Sequence, residues 1–133
     1  MGVPCAKQSD SVIAIDTHFV MVPTPGGPVP TPLPHPFTGQ LDGALATSVT
    51  VEGKAAAMQD STASNQPSHI ATPPGTSFQS PPANSGTVML ASTSVMIEGK
   101  GAARAADTVK TCNDPSDLPV GQIVAVGQVL VGG

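Results

Sequence analysis

The chain has no tryptophan and no tyrosine, and its only phenylalanines are Phe19, Phe37 and Phe78. A core must therefore be assembled from Val, Ile, Leu, Met and Ala, and in 133 residues such a core is thin. Scaffolds of this kind commonly need a staple, either a metal or a partner subunit. Positive charge is also scarce: five basic residues face nine acidic ones, for a net charge of −4. That leaves no cationic surface to neutralise phosphates, which argues against nucleic acid and against anionic membranes as partners. Charged residues of both signs make up only 11% of the chain, so the low-hydropathy, high-charge signature of disorder is missing.

No apolar run has the length of a membrane-spanning helix. Residues 1–10 lack a basic stretch followed by an apolar core, so the expectation is cytoplasmic synthesis and assembly without a secretory signal. In that reducing compartment Cys5 and Cys112 read as free thiols or metal ligands rather than a disulfide. Enzyme signatures are missing too: no His-Glu-x-x-His pair, no Gly-x-Ser-x-Gly elbow and no phosphate-cradling Gly-rich loop with its lysine. The reading is that the protein is not an enzyme.

What is present is repetition. Gly101-Ala102-Ala103-Arg104-Ala105-Ala106-Asp107 matches Pro4-Cys5-Ala6-Lys7-Gln8-Ser9-Asp10 without a gap. A poorer copy, Ala55-Ala56-Ala57-Met58-Gln59-Asp60, is read as one residue shorter, with Met58 in the place of the cation. Ser48-Val49-Thr50-Val51-Glu52-Gly53-Lys54 and Ser94-Val95-Met96-Ile97-Glu98-Gly99-Lys100 precede the two later copies, and their counterpart lies at the other end of the chain, in Gln128-Val129-Leu130-Val131-Gly132-Gly133. If the C-terminal strand is followed in space by residues 1–10, three units close into a ring. The expected organisation is one domain, 1–133, of three circularly closed repeats: 121–133 plus 1–40, 41–85 and 86–120.

Glycine-bounded apolar runs at 43–53, 86–99 and 121–132 predict short β-hairpins, and 11–22 reads as β structure interrupted around Asp16-Thr17. From Pro23 to Pro36 a proline falls every two or three residues. Proline removes a backbone donor, so this stretch is expected to be a stiff loop outside any sheet. Cys5 aligns with Ala56 and Ala102 and reads as a small buried apolar residue. Lys7 and Arg104 read either as cations that lock the ring or as solvated turn residues. Asp10, Asp60 and Asp107 read as turn caps, and Glu52 and Glu98 as scaffold or surface residues.

The candidate ligands are His18, His35, His69 and Cys112. Counted from the repeat aspartates, His18, His69 and Cys112 each follow one copy, and His35 sits at the end of the proline arm. If corresponding loops converge on one end of a pseudo-threefold axis, three imidazoles and a thiolate form a closed tetrahedral set suited to structural zinc. Unrelated polar loop residues are the alternative, since the spacing matches no compact zinc motif.

Gly101 to Asp107, Pro4 to Asp10 and the glycine-bounded runs resemble the PAAR-repeat proteins, named for a Pro-Ala-Ala-Arg motif, and the resemblance covers essentially the whole chain. It implies an all-β, small conical pseudo-threefold arrangement of short β-hairpins with long Pro-rich loops and a metal-stapled tip. It implies a structural role: a tip, one per trimer, that caps a trimeric VgrG-like spike of a contractile injection system and sharpens it for membrane piercing. Such systems include type VI secretion, extracellular injection particles and phage tails. As an adaptor the tip would carry effector cargo, and it would be delivered extracellularly or into a target cell with the particle. The resemblance maps a structural zinc ion onto His18, His35, His69 and Cys112. The alternative function is a small zinc-dependent hydrolase, with the histidines on the metal and Cys112 elsewhere.

Overall fold

The computed structural model describes residues 2–132, and among them there is no helix: the fold is all-β. Met1 and Gly133, the outermost positions of the expected circular repeat, lie outside the described residues. The strands are β1 (Val3–Pro4), β2 (Ser11–Val22), β3 (Val29–Gly43), β4 (Thr50–Val51), β5 (Lys54–Ala55), β6 (Thr62–Asn65), β7 (Ser77–Phe78), β8 (Ser85–Val88), β9 (Met96–Ile97), β10 (Lys100–Gly101), β11 (Thr108–Thr111), β12 (Leu118–Val124) and β13 (Leu130–Val131). Strands β2, β3, β6, β8, β11 and β12 pair antiparallel in that order. Strand β12 then returns to β2 through Gln122↔Ile13, Ile123↔Val12 and Val124↔Ser11, which closes a six-stranded barrel. Closure satisfies both sides of each paired stretch without an exposed edge.

Pseudo-threefold symmetry is written in the backbone hydrogen bonds. The Ala6 N–H donates to Ala103 O (2.9 Å), Ala103 N–H to Ala57 O (3.1 Å), and Ala57 N–H back to Ala6 O (3.0 Å). These alanines are fully buried, so the ring needs side chains no larger than a methyl group and leaves no backbone group unpaired. Outside the ring lie three two-residue ladders: β4–β5, β9–β10 and β1–β13. The pairing Val3↔Val131 and Pro4↔Leu130 supplies the third ladder from opposite ends of the chain. Glu52-Gly53 and Glu98-Gly99, all at positive φ, make the turns of the other two. The hairpins therefore turn at Glu-Gly, rather than inside the apolar–small–apolar runs from which the sequence predicted them.

The repeat register differs from the sequence reading at one copy. Positive φ falls at Ser9 (74°), Asp60 (74°) and Ala106 (70°), which makes Asp60 the partner of Ser9 and Ala106, and Ser61 the partner of Asp10 and Asp107. Asp10 accepts the Lys7 N–H and Asp107 the Arg104 N–H, while Ser61 Oγ accepts the Met58 N–H at 3.0 Å. Asp60 instead pairs on the surface with Lys100. The middle copy is thus full length, with serine replacing the capping carboxylate. Lys7 pairs with Asp10 and also donates to Val126 O at 2.8 Å, tying together the two chain ends that make up one repeat.

Strand β2 runs without interruption through Asp16-Thr17; of the expected proline loop, residues 23–28 do form the connection between strands, but Val29 to Pro36 is part of β3, paired with β2 from Val29↔Val22 to Gln40↔Ser11. The prolines escape the usual penalty because they recur with a period of two: Pro30, Pro32, Pro34 and Pro36. Their partners on β2 are Met21, Phe19, Thr17 and Ile15. Met21, Phe19 and Thr17 send backbone groups away from β3, to Thr76, Gln79, Asn113 and Asp114. The prolines thus occupy non-hydrogen-bonded pairs, where a missing N–H removes no ladder bond.

The same period of two sets what lies inside. On β2, Val12, Asp16, His18 and Val20 are buried, and on β3, His35, Phe37 and Leu41. Two cores stack along the barrel. Cys5, Ala46, Val51, Ala56, Met58, Ile97, Ala102 and Val131 fill the hairpin end. Beyond the alanine ring, Val12, Phe37, Leu41, Ala63, Val88, Val109 and Ile123 fill the barrel. Within this barrel core Gly39 pairs with Val12 and Gly121 with Val109. A Cβ at Gly39 would lie 2.6 Å from Ser64 O, and one at Gly121 3.0 Å from Val109 O. The strands approach too closely there for a side chain, and beyond Phe37 the interior becomes polar, with Asp16 and His35 at the next level.

Candidate metal centre

Parity along β2 points Asp16 and His18 into this polar end, and Asp16 faces His35 across the β2–β3 ladder. His69 arrives from the segment between β6 and β7, its N–H held by Asn84 Oδ1 at 2.8 Å. Cys112 follows β11 directly, and the residues after it anchor it to β2. Asn113 Oδ1 accepts the Thr17 N–H (2.6 Å), Asp114 N–H donates to Thr17 O (2.8 Å), and Asp114 Oδ2 accepts the Phe19 N–H (3.0 Å).

Asp16, His18, His69 and Cys112 bring one ligand atom each to within 4.8 Å of one another, a group that could hold a metal ion. Asp16 Oδ2 is 2.9 Å from His69 Nε2 and 3.5 Å from Cys112 Sγ, and Sγ is 3.8 Å from His18 Nε2. Tetrahedral zinc with bonds of about 2.0–2.3 Å holds its ligand atoms about 3.3–3.6 Å apart. Those three separations are close to such values, and the remaining pairs lie within 4.8 Å. His18 Nδ1 lies 3.3 Å from Asp114 Oδ2, an arrangement that puts the proton on Nδ1 and leaves the Nε2 lone pair facing inward.

His35 is part of the same cluster of rings, 5.4 Å from His18 and 5.6 Å from His69 between centroids. Both of its nitrogens are engaged within the protein: Nδ1 donates to Leu33 O at 2.9 Å, and Nε2 accepts the Thr72 N–H at 3.1 Å. Burial, opposed by the Leu33 carbonyl, lowers its basicity and keeps it neutral. Phe78 covers the group from β7, 5.3 Å from His35 and 5.8 Å from His18. Burial, reinforced by the Asp16 carboxylate, pushes the Cys112 thiol up to about 11. The sulfur becomes a good ligand only when a cation replaces its proton.

His18, His69 and Cys112 thus meet as the sequence expected, although the corrected register changes the reason. His18 and His69 are equivalent, each eight residues after its capping residue, Asp10 or Ser61, whereas Cys112 comes five after Asp107. Asp16 was missed. The signal for it was the inward parity of Val12, Asp16, His18 and Val20, once the strand is continuous. Cys5 lies in the hairpin-end core, as expected for a small apolar residue. No family model, no curated protein and no solved structure matches the chain.

Proposed function

We propose that the protein is a metal-stapled spike tip of a contractile injection system, of the kind that the PAAR resemblance implies, and that its function is structural. The observation that carries the reading is the closed alanine ring with its three outer ladders. A single chain with threefold pseudosymmetry at one end is suited to cap a partner with true threefold symmetry. Exposed Val95 and Met96 on one repeat and Val129 and Leu130 on another supply apolar contacts at that end. At the opposite end a zinc ion would tie together the buried polar side chains Asp16, His18, His69 and Cys112. Zinc fits the mixed imidazole, thiolate and carboxylate donors better than the harder cations do.

Four converging protein donors under Phe78 favour a structural site over the hydrolase alternative, which needs a position left open for water. The test is assembly. Mixed with a trimeric spike protein, the chain should form a complex of one tip per trimer, and no complex at micromolar concentrations overturns the reading.

A further inference from the structure

Three equivalent seams run along the barrel: β12–β2, β3–β6 and β8–β11. Their equivalence is fixed at the corners, where the Ser9, Asp60 and Ala106 N–H groups donate to Leu41, Val88 and Ile123 O. Counted from these points, Ile13 corresponds to Ser64 and Lys110, and Val120 to Thr38 and Ser85. Two seams thus present hydrophilic side chains to solvent, and the third does not. On it Ile13, Ile15, Val120 and Val124 are 47%, 61%, 44% and 46% exposed. Strands β2 and β12 contain no lysine or arginine, and their one acidic residue, Asp16, is buried.

The same seam is also open. Pairing extends to Gly39↔Asn65 between β3 and β6 and to Gly86↔Thr111 between β8 and β11. Between β12 and β2 it stops at Gln122↔Ile13, one pair short. Past that point a shallow cleft of about 260 Å³ lies among Ile13, Ala14, Ile15, Val120 and Gln122. We infer that this seam is a docking strip for one extended, uncharged, apolar segment of a partner polypeptide, with one apolar side chain anchored in the cleft.

Size selects the occupant. Two strands about 4.8 Å apart, and the seven residues of β12 at about 3.3 Å each, make a face of roughly 10 by 20 Å. A stable pair of folded partners covers about 800 Å² on each side, well beyond this face, so a second copy of the chain gains too little there. An extended segment of about six residues spans about 20 Å, the length of the strip. Charge selects its composition, because a charged side chain laid on the strip loses solvation and meets no counter-charge. Symmetry selects its number. With Ser64, Lys110, Thr38 and Ser85 on the other seams the strip occurs once, so a threefold partner cannot engage it three times.

Selection of displayed random peptides against the unmodified protein tests the strip. The recovered sequences should be apolar and uncharged, and a synthetic peptide of one such sequence should bind one per molecule in titration calorimetry. Ile13→Ser combined with Val120→Ser installs side chains of the kind that the other seams carry. It should weaken that peptide about tenfold or more and leave the thermal midpoint in place. Ile15→Lys, at a position open to solvent, should weaken the peptide as well and serves as the second variant. Binding that neither variant weakens, more than one peptide per molecule, or no enriched peptide overturns the inference. A dimer in sedimentation that the double variant dissolves also overturns it and assigns the strip to a second copy. Flotation with phosphatidylcholine vesicles that the double variant abolishes overturns it in favour of a lipid surface. None of these readouts depends on the metal or on a spike protein, so the reading above stands or fails separately.

Discussion

Ser61 and Met58 reproduce, with a hydroxyl, the bond that Asp10 makes to Lys7 and Asp107 to Arg104 with a carboxylate. Ser61 is fully buried and also donates to Ala44 O at 2.9 Å. Ser61→Ala strands a donor and an acceptor together, and should lower stability by about 2–4 kcal/mol in urea unfolding.

Ala106 has a φ of 70°, a conformation disfavoured by its Cβ, and is exposed to solvent. Ala106→Gly should therefore raise stability, by about 1 kcal/mol after the entropy cost of glycine is deducted. Thermal unfolding checks the sign. A lower midpoint would mean that the methyl group makes a contact worth more than the strain.

The proline pattern predicts an asymmetry between neighbours. Pro32 lies opposite Phe19, whose backbone points elsewhere, so Pro32→Ala should change stability by less than about 1 kcal/mol. Leu33 is the ladder partner of His18, and Leu33→Pro should cost about 3 kcal/mol or more. Equal effects in chemical denaturation would show that the pairing register is different.

Metal uptake should depend on pH in a defined direction. The Cys112 thiol, raised to about 11, is protonated at neutral pH, so binding releases its proton. Affinity should rise about tenfold per pH unit below that value, measured by competition with a chelator of known affinity. In the metal-free protein the buried neutral thiol is favoured by folding. Its contribution is present below the ordinary value of 9.0 and is lost as pH rises through about 11. Metal-free protein should therefore lose stability across that interval, and Cys112→Ala should flatten the loss.

Asp114→Asn removes the carboxylate that orients His18 without touching any of the converging donors. Metal affinity should fall by about 10–100-fold while the stoichiometry stays at one. An unchanged affinity would mean that the His18 tautomer is fixed by other means.

Much of the architecture was legible because repeats state their own symmetry. Val51-Glu52-Gly53-Lys54 and Ile97-Glu98-Gly99-Lys100 align without a gap, and their counterpart is split between the two chain ends, where Val3 pairs with Val131. The middle copy was misread because Asp60 offered a carboxylate one residue early, and only the φ angles of Ser9, Asp60 and Ala106 identify the true corner. The β3 strand was hidden by a rule applied without its parity. Proline is excluded from a sheet when its nitrogen faces a ladder partner, and here it does not. Asp16 was overlooked for a related reason: a break assumed at Asp16-Thr17 erased the alternation that turns the carboxylate inward.

The bonds Ala6 to Ala103, Ala103 to Ala57 and Ala57 to Ala6 have a final consequence for how the protein fails. An open solenoid can lose a terminal repeat and keep the rest, because each unit leans only on its neighbours. A cycle has no terminal member. Pulling out any one repeat leaves each of the other two short of a partner, so partial unfolding has no stable stopping point. The chain is built to be either whole or lost.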